Sequence, residues 1–202
     1  MAENKKIFDY LDCYDCLLYD EIKKGGSNML TNQIHGIALR LSIDNQNGID
    51  PATVLNLHFE KEKEINDWVY YSTNVSQDSR LTDRISMIVF FFKQGTEKKY
   101  IKADVVGEVL CSKTPFIPEN KDEVKRHSPK IFSDEERKTW YKIQNLQVMD
   151  EVELSNYVYR RNDTFELEPL NETLQRSRFS KCYFESKIEV KNREYPKDCV
   201  NL

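Results

Sequence analysis

Glycine is scarce in this chain: six residues in 202. That leaves little material for a phosphate cradle, and Gly25-Gly26 lacks the Lys-Ser/Thr that follows a P-loop. No apolar run approaches the roughly 18 residues of a membrane helix. The first residues, MAENKKIFDYLD, lack the apolar core of a signal peptide, so a cytoplasmic location is expected. Cysteines are few and irregular (Cys13, Cys16, Cys111, Cys182, Cys199), which is not a disulfide framework and predicts reduced thiols. Cys13-x-x-Cys16 is the one metal-like spacing. It lacks a second pair, and His35, His58 and His127 are scattered, so no metal or cofactor is expected. Neither G-x-S-x-G nor H-E-x-x-H occurs, so no motif marks a nucleophile with its base.

Charge is abundant but uneven. Charged residues make up 32% of the chain, and the net charge is -4, against a protein that coats nucleic acid by bulk electrostatics. Residues 1–22 carry six acids against two lysines, whereas residues 176–193 carry six bases against two acids. A local basic face on an acidic protein can bind an anion at one place only.

Along the chain, residues 5–23 read as an amphipathic helix, capped by Asn4 and stopped by Gly25-Gly26. From Gly36 the period becomes two, with Ile37, Leu39, Leu41 and Ile43 alternating as in a half-buried strand. The alternation of Leu55, Leu57 and Phe59 predicts a second strand over Val54–Glu60, with His58 on the opposite face. Asp67–Thr73 predicts a third. Arg84–Lys93 and Lys99–Leu110 are the clearest pair; Ile88–Phe92 is apolar on both faces and should be a central strand covered on both sides. Cys111–Thr139, with Pro115, Pro118 and Pro129, reads as a long loop. Trp140–Gln147 and Cys182–Val190 read as further strands, with a short helix over Leu167–Leu174. No repeat or linker divides the chain, so residues 1–202 are read as one domain. The fold class is α+β: a small, mostly antiparallel β-barrel or strongly curved sheet with flanking helices.

Eleven Tyr, ten Phe and two Trp are a high aromatic load. Aromatics beside a basic patch suit a flat base that is stacked while its phosphates are held. Trp68, Trp140 and Arg178 are therefore candidate ligand-binding residues, with Lys125 and Arg126 of the long loop reaching a phosphate backbone. The alternative for each tryptophan is a core side chain with a partner for its indole N–H. Asp104 and Glu108, at even spacing on one expected strand, are a weaker metal-dependent nuclease pair; the lysine such a site needs two residues on is Leu110 instead.

Trp68–Ser72, Ile85–Phe92, the ADVVGEVL run within Tyr100–Leu110, the proline-containing loop, the Trp140 strand and Leu170–Phe184 follow in an order that resembles the PUA-like superfamily, within it the EVE and YTH-type modules. The resemblance covers residues 66–186. It implies a barrel over residues 65–190, with residues 1–64 as an N-terminal addition, and a pocket for one modified or flipped base. The reading that follows is a non-enzymatic nucleic-acid recognition module, for DNA or RNA. A second reading is an acidic protein-interaction subunit or inhibitor from a mobile element or defence system, with the helix over residues 5–23 as its contact surface. Metal-dependent hydrolysis at Asp104 and Glu108 is the third.

Overall fold

The computed structural model describes residues 34–44, 46–160, 166–176 and 179–187. The helix expected over residues 5–23, the Cys13/Cys16 pair, Cys199 and Arg178 lie outside the described residues.

The organising element is a mixed sheet of nine described strands: β1 (Gly36–Arg40), β2 (Val69–Thr73), β3 (Met87–Gln94), β4 (Glu97–Val105), β5 (Leu110–Phe116), β6 (Arg137–Met149), β7 (Tyr157–Arg160), β8 (Leu167–Pro169) and β9 (Lys181–Ser186). Their order is β2-β6-β4-β3-β1-β9-β7-β8, with β5 on β6. Only β1 and β3 run parallel among the paired strands. β2 and β8 stand at opposite ends of this order, so the sheet is open rather than a closed barrel. The fold class is α+β.

β3 is the central strand. The hairpin turn carries Gly95 at φ 63, and the β3–β4 register runs from Gln94↔Glu97 to Met87↔Asp104. Ile88, Phe90 and Phe92 join a core on one face of the sheet; Val89 and Phe91 join a second core on the other. This is the two-sided burial that an unbroken apolar run implies. β1 lies between β3 and β9, so residues 36–40 are integral to the sheet and not an addition to it. Gly36 admits no side chain: a Cβ there would lie 2.5 Å from the Met87 carbonyl oxygen and 2.4 Å from the Phe184 ring.

Three expectations are corrected. The segment read as a strand over Val54–Glu60 is helix α1 (Pro51–Ile65). Asp50 caps it, accepting from the Ala52 and Thr53 amides at 2.9 and 3.1 Å, Pro51 opens it, and Asn66 ends it at φ 49. The buried residues Val54, Leu55 and His58 have helical spacing; the alternation seen in sequence is incidental to them. Second, the strand over Lys99–Leu110 stops at Val105. Gly107, at φ 73, turns the chain, and β5 then continues along the same edge of β6 that β4 occupies. Third, the expected long loop Cys111–Thr139 is mostly regular: it contains β5, helix α2 (Lys121–His127) and the start of β6. Asn120 caps α2 through the Glu123 amide. Helices α3 (Glu151–Leu154) and α4 (Leu170–Arg176) cover the second face with Leu154, Leu170 and Leu174.

Candidate functional site

The ends of β1 and β2, helix α1 and the start of β6 converge on a cavity of about 410 Å³. Its apolar wall is built from rings. His58 of α1 is 2% exposed; its ring stacks on Phe132 at 5.2 Å and 19°, and tilts against Tyr71 of β2 at 5.4 Å. Tyr71 in turn packs on Phe90 of the central strand at 4.6 Å. His58 Nδ1 lies 2.7 Å from the Val54 carbonyl, which can only accept, so the neutral ring carries its proton on Nδ1. Burial lowers the His58 pKa to about 4, against the Val54 and Tyr70 main-chain groups that favour the charged ring. The imidazole is therefore a neutral, flat wall at physiological pH.

The polar wall faces it. Asp44 follows β1, and Arg137 is the first residue of β6. Their side chains are 13% and 11% exposed, with Arg137 Nη2 3.6 Å from Asp44 Oδ1. Arg137 also donates to Glu135, through Nε at 2.9 Å and through Nη2. Asn47 Nδ2 bridges the two acids, donating to Asp44 Oδ2 at 2.8 Å and to Glu135 Oε1 at 2.7 Å. The Gln46 amide donates to Asp44 Oδ1 at 3.1 Å. Burial pushes the Asp44 pKa up, but these hydrogen bonds and the Arg137 charge outweigh it, so the carboxyl sits below its ordinary value and is ionised. Ser72, Thr73 and Asn74 add hydroxyl and amide groups, and Arg40 stands exposed among the lining residues. Packed rings with a few fixed polar groups suit a small ligand that is part apolar and part polar, and the volume falls in the range of small-ligand sites.

A second depression, of about 490 Å³, lies where α2 meets β2 and β6. Trp68 stacks on His127 at 3.9 Å and 11°, and Lys142 Nζ is 4.3 Å from the indole centroid. His127 Nδ1 lies 2.8 Å from the Trp68 carbonyl. Glu123 accepts from Tyr70 Oη at 3.0 Å and Lys142 Nζ at 2.8 Å. The Lys142 hydrogen bond, then that of Tyr70, holds the Glu123 carboxyl below its usual range. These groups largely satisfy one another.

The residues singled out in sequence are thus divided. Trp68 and Arg126 share the second depression; Lys125 is exposed on the same helix but is not among the lining residues. Trp140 is withdrawn into the interior, 1% exposed, in a core with Tyr70 and Val124, and its indole N–H donates to the Phe116 carbonyl at 3.0 Å. It lines neither depression. Arg178 is outside the described residues. Asp104 and Glu108 are not on one strand: Glu108 lies beyond the end of β4, past Gly107, and Asp104 accepts from Asn145 Nδ2 at 2.8 Å. Among the described residues no three His, Cys, Asp or Glu side chains are grouped to hold a metal ion. Cys111 and Cys182 are free; burial raises both thiols, that of Cys182 to about 12, so neither is poised as a thiolate.

Sequence reasoning missed Asp44 and Asn47, which follow the first expected strand, and Phe132 and Arg137, which lie in the segment read as a long loop. The usable signal was Asp50-Pro51, a helix start that would have put His58 on a helix facing β2. Comparison with family models, with curated proteins and with solved structures finds no match for this chain.

Proposed function

We propose that this chain is a non-enzymatic recognition module that holds a single nucleobase, with or without a modification, in the pocket between α1, β1, β2 and β6. One observation carries the reading: the cavity joins a wall of rings, His58, Phe132 and Tyr71, to a fixed hydrogen-bonding wall around Asp44 and Arg137. The rings, packed on one another, offer a flat ligand apolar contact at their margins, and the polar wall offers hydrogen bonds to its edge. The pocket cannot reach a base inside a duplex, so the ligand is a base in a single strand or one turned out of the helix. Flipping costs a few kcal/mol, offset by stacking and edge hydrogen bonds.

The test is a binding screen of the full chain against nucleosides and against single- and double-stranded DNA and RNA, with and without methylated bases, at two salt concentrations. Binding of single strands or nucleosides that is lost in Phe132→Ala, with the melting transition retained, supports the pocket. No binding of any nucleoside or oligonucleotide at low salt overturns it, and the protein-interaction reading then takes its place.

A further inference from the structure

The polar wall of the pocket is asymmetric: its carboxylates are engaged, and one of its donors is not. Asp44 Oδ1 accepts from the Gln46 amide at 3.1 Å and has Arg137 Nη2 at 3.6 Å; Oδ2 accepts from Asn47 at 2.8 Å. Glu135, behind it, is engaged through both oxygens, Oε1 by Asn47 at 2.7 Å and Oε2 by Nε and Nη2 of Arg137. Those bonds fix the guanidinium along one edge. Its Nη1 donates to no described residue and, unlike Nη1 of Arg84, is not sealed from solvent. Arg137 lines the cavity with its side chain 11% exposed, so this open end is a donor held in place on the pocket wall. The charged lining as a whole is Arg40, Asp44 and Arg137, two bases and one acid.

We infer that the pocket selects a keto-type base edge over an amino-type one, with Arg137 Nη1 donating to the carbonyl at C4 of a pyrimidine or C6 of a purine. This rests on the proposed function above and names the ligand class of the same site. The sugar, bulky and polar, stays at the mouth, so the group farthest from it, the C4 or C6 substituent, enters the pocket. In uracil, thymine, guanine and hypoxanthine that group is a carbonyl, which accepts. In cytosine and adenine it is an amino group, which donates. An amino group here sets donor against donor beside a positive charge, and the carboxylates that would receive it already hold their hydrogen bonds. A carbonyl instead forms a charge-assisted hydrogen bond, stronger than one between neutral groups. The Ser72 and Thr73 hydroxyls line the same cavity but can donate or accept, so they do not discriminate. Arg137 is the specificity-determining residue. The discrimination needs no stacking on His58 or Phe132, whose rings pack on each other.

The experiment titrates the full wild-type chain with two matched pairs, uridine against cytidine and inosine against adenosine, by calorimetry. The members of each pair differ only at this group and at the ring nitrogen beside it. The expected result is the keto member tighter by about ten- to a hundredfold, the scale of one hydrogen bond to a charged group. If only one pair binds, that pair decides. Arg137→Gln, whose amide can donate or accept, then brings the members of a pair together; a folded Arg137→Gln with the wild-type ratio overturns the assignment to Arg137. Equal or reversed affinities in the wild type overturn the keto edge and leave the base pocket standing; binding of none overturns both. Benzoate competing as well as the keto nucleoside also overturns the inference, since Arg137 would then hold an anion and not a base carbonyl. The wild-type ratios decide the matter even if Arg137→Gln fails to fold.

Discussion

The carboxylate of Glu62, on α1, accepts hydrogen bonds from the Asn145 amide at 2.5 Å and from the next amide of β6, that of Leu146, at 3.3 Å. Asn145 has φ 57, and the β4–β6 register slips opposite it, between Lys102 and Asp104. The helix therefore pins an irregularity in the longest described strand, at the point where its two amides have left the ladder. Glu62→Ala should cost about 1.5 kcal/mol, the low end of the scale for hydrogen bonds to a charged group, since the Asn145 bond is exposed. Glu62→Gln, which keeps one acceptor oxygen, should lie between. Urea denaturation of the three proteins measures this, and equal midpoints would mean that the bulge holds itself.

Trp140 separates packing from recognition. Trp140→Ala should destabilise the chain by about 3–5 kcal/mol, the cost of emptying a large aromatic site. Trp140→Phe should lose less, about 1–3 kcal/mol, mostly from leaving the Phe116 carbonyl without the indole N–H. A Trp140→Ala protein within 1 kcal/mol of wild type would show that the ring is not core.

His58 makes stability depend on pH in a defined window. Its folded pKa of about 4 is below the unfolded value of 6.5. The unfolded chain therefore takes up the proton first, and stability falls as pH drops from about 6.5 towards 4. The full loss is roughly 3 kcal/mol, with most of the slope between pH 6 and 4. Asp44, Asp78 and Glu123, whose pKa values are lowered on folding, act in the same direction, but only near and below their unfolded values of 3.8 and 4.5. Urea midpoints at pH 7.5 and pH 5 should differ in wild type and differ much less in His58→Phe. A wild-type midpoint flat over that interval would refute a buried neutral His58.

What could be read from the sequence was what depends on local pattern. The Ile88–Phe92 run announced a strand covered on both faces, and β3 lies between β1 and β4 with both cores upon it. Patterns with two explanations misled. Leu55, Leu57 and Phe59 alternate, yet α1 buries Val54, Leu55 and His58 and leaves Phe59 at the surface under the Lys63 ammonium. Prolines at 115, 118 and 129 suggested a loop, although Pro115 lies within β5, a short strand paired only to β6. The pocket was least legible. Asp44 and Arg137 are 93 positions apart in the sequence. They meet only because β1 enters the sheet beside β3 while β6 crosses to pair with β2, which no local period encodes. Trp140 and Trp68 look alike in sequence as aromatic neighbours of strand residues. One faces the core and the other a depression because pairing to β2 and β5 encloses the first on both edges of its strand.

The path of a bound strand away from the pocket is the last point that a measurement can fix. Arg40 lines the pocket and is opposite Phe91 in the register; Lys93, two residues on, is opposite Lys98. All three lie on one face of the sheet. Lys98 donates to the Leu174 and Gln175 carbonyls at the end of α4, and burial together with the Lys93 and Arg40 charges depresses its pKa, against the attraction of Glu151. That face is the one of Phe91, whereas Tyr71 and Phe132 of the pocket belong to the other, so a strand that turned over the end of β1 would pass Arg40 and then Lys93. Lys93→Glu should therefore weaken single-stranded oligonucleotide binding and lower its salt slope by about one, with nucleoside affinity unchanged. On the other side of the molecule's β2 strand, α2 offers Lys125 and Arg126 as the competing track. If the Lys125→Glu, Arg126→Glu double variant lowers the slope and Lys93→Glu does not, the strand leaves over α2 and Trp68 instead.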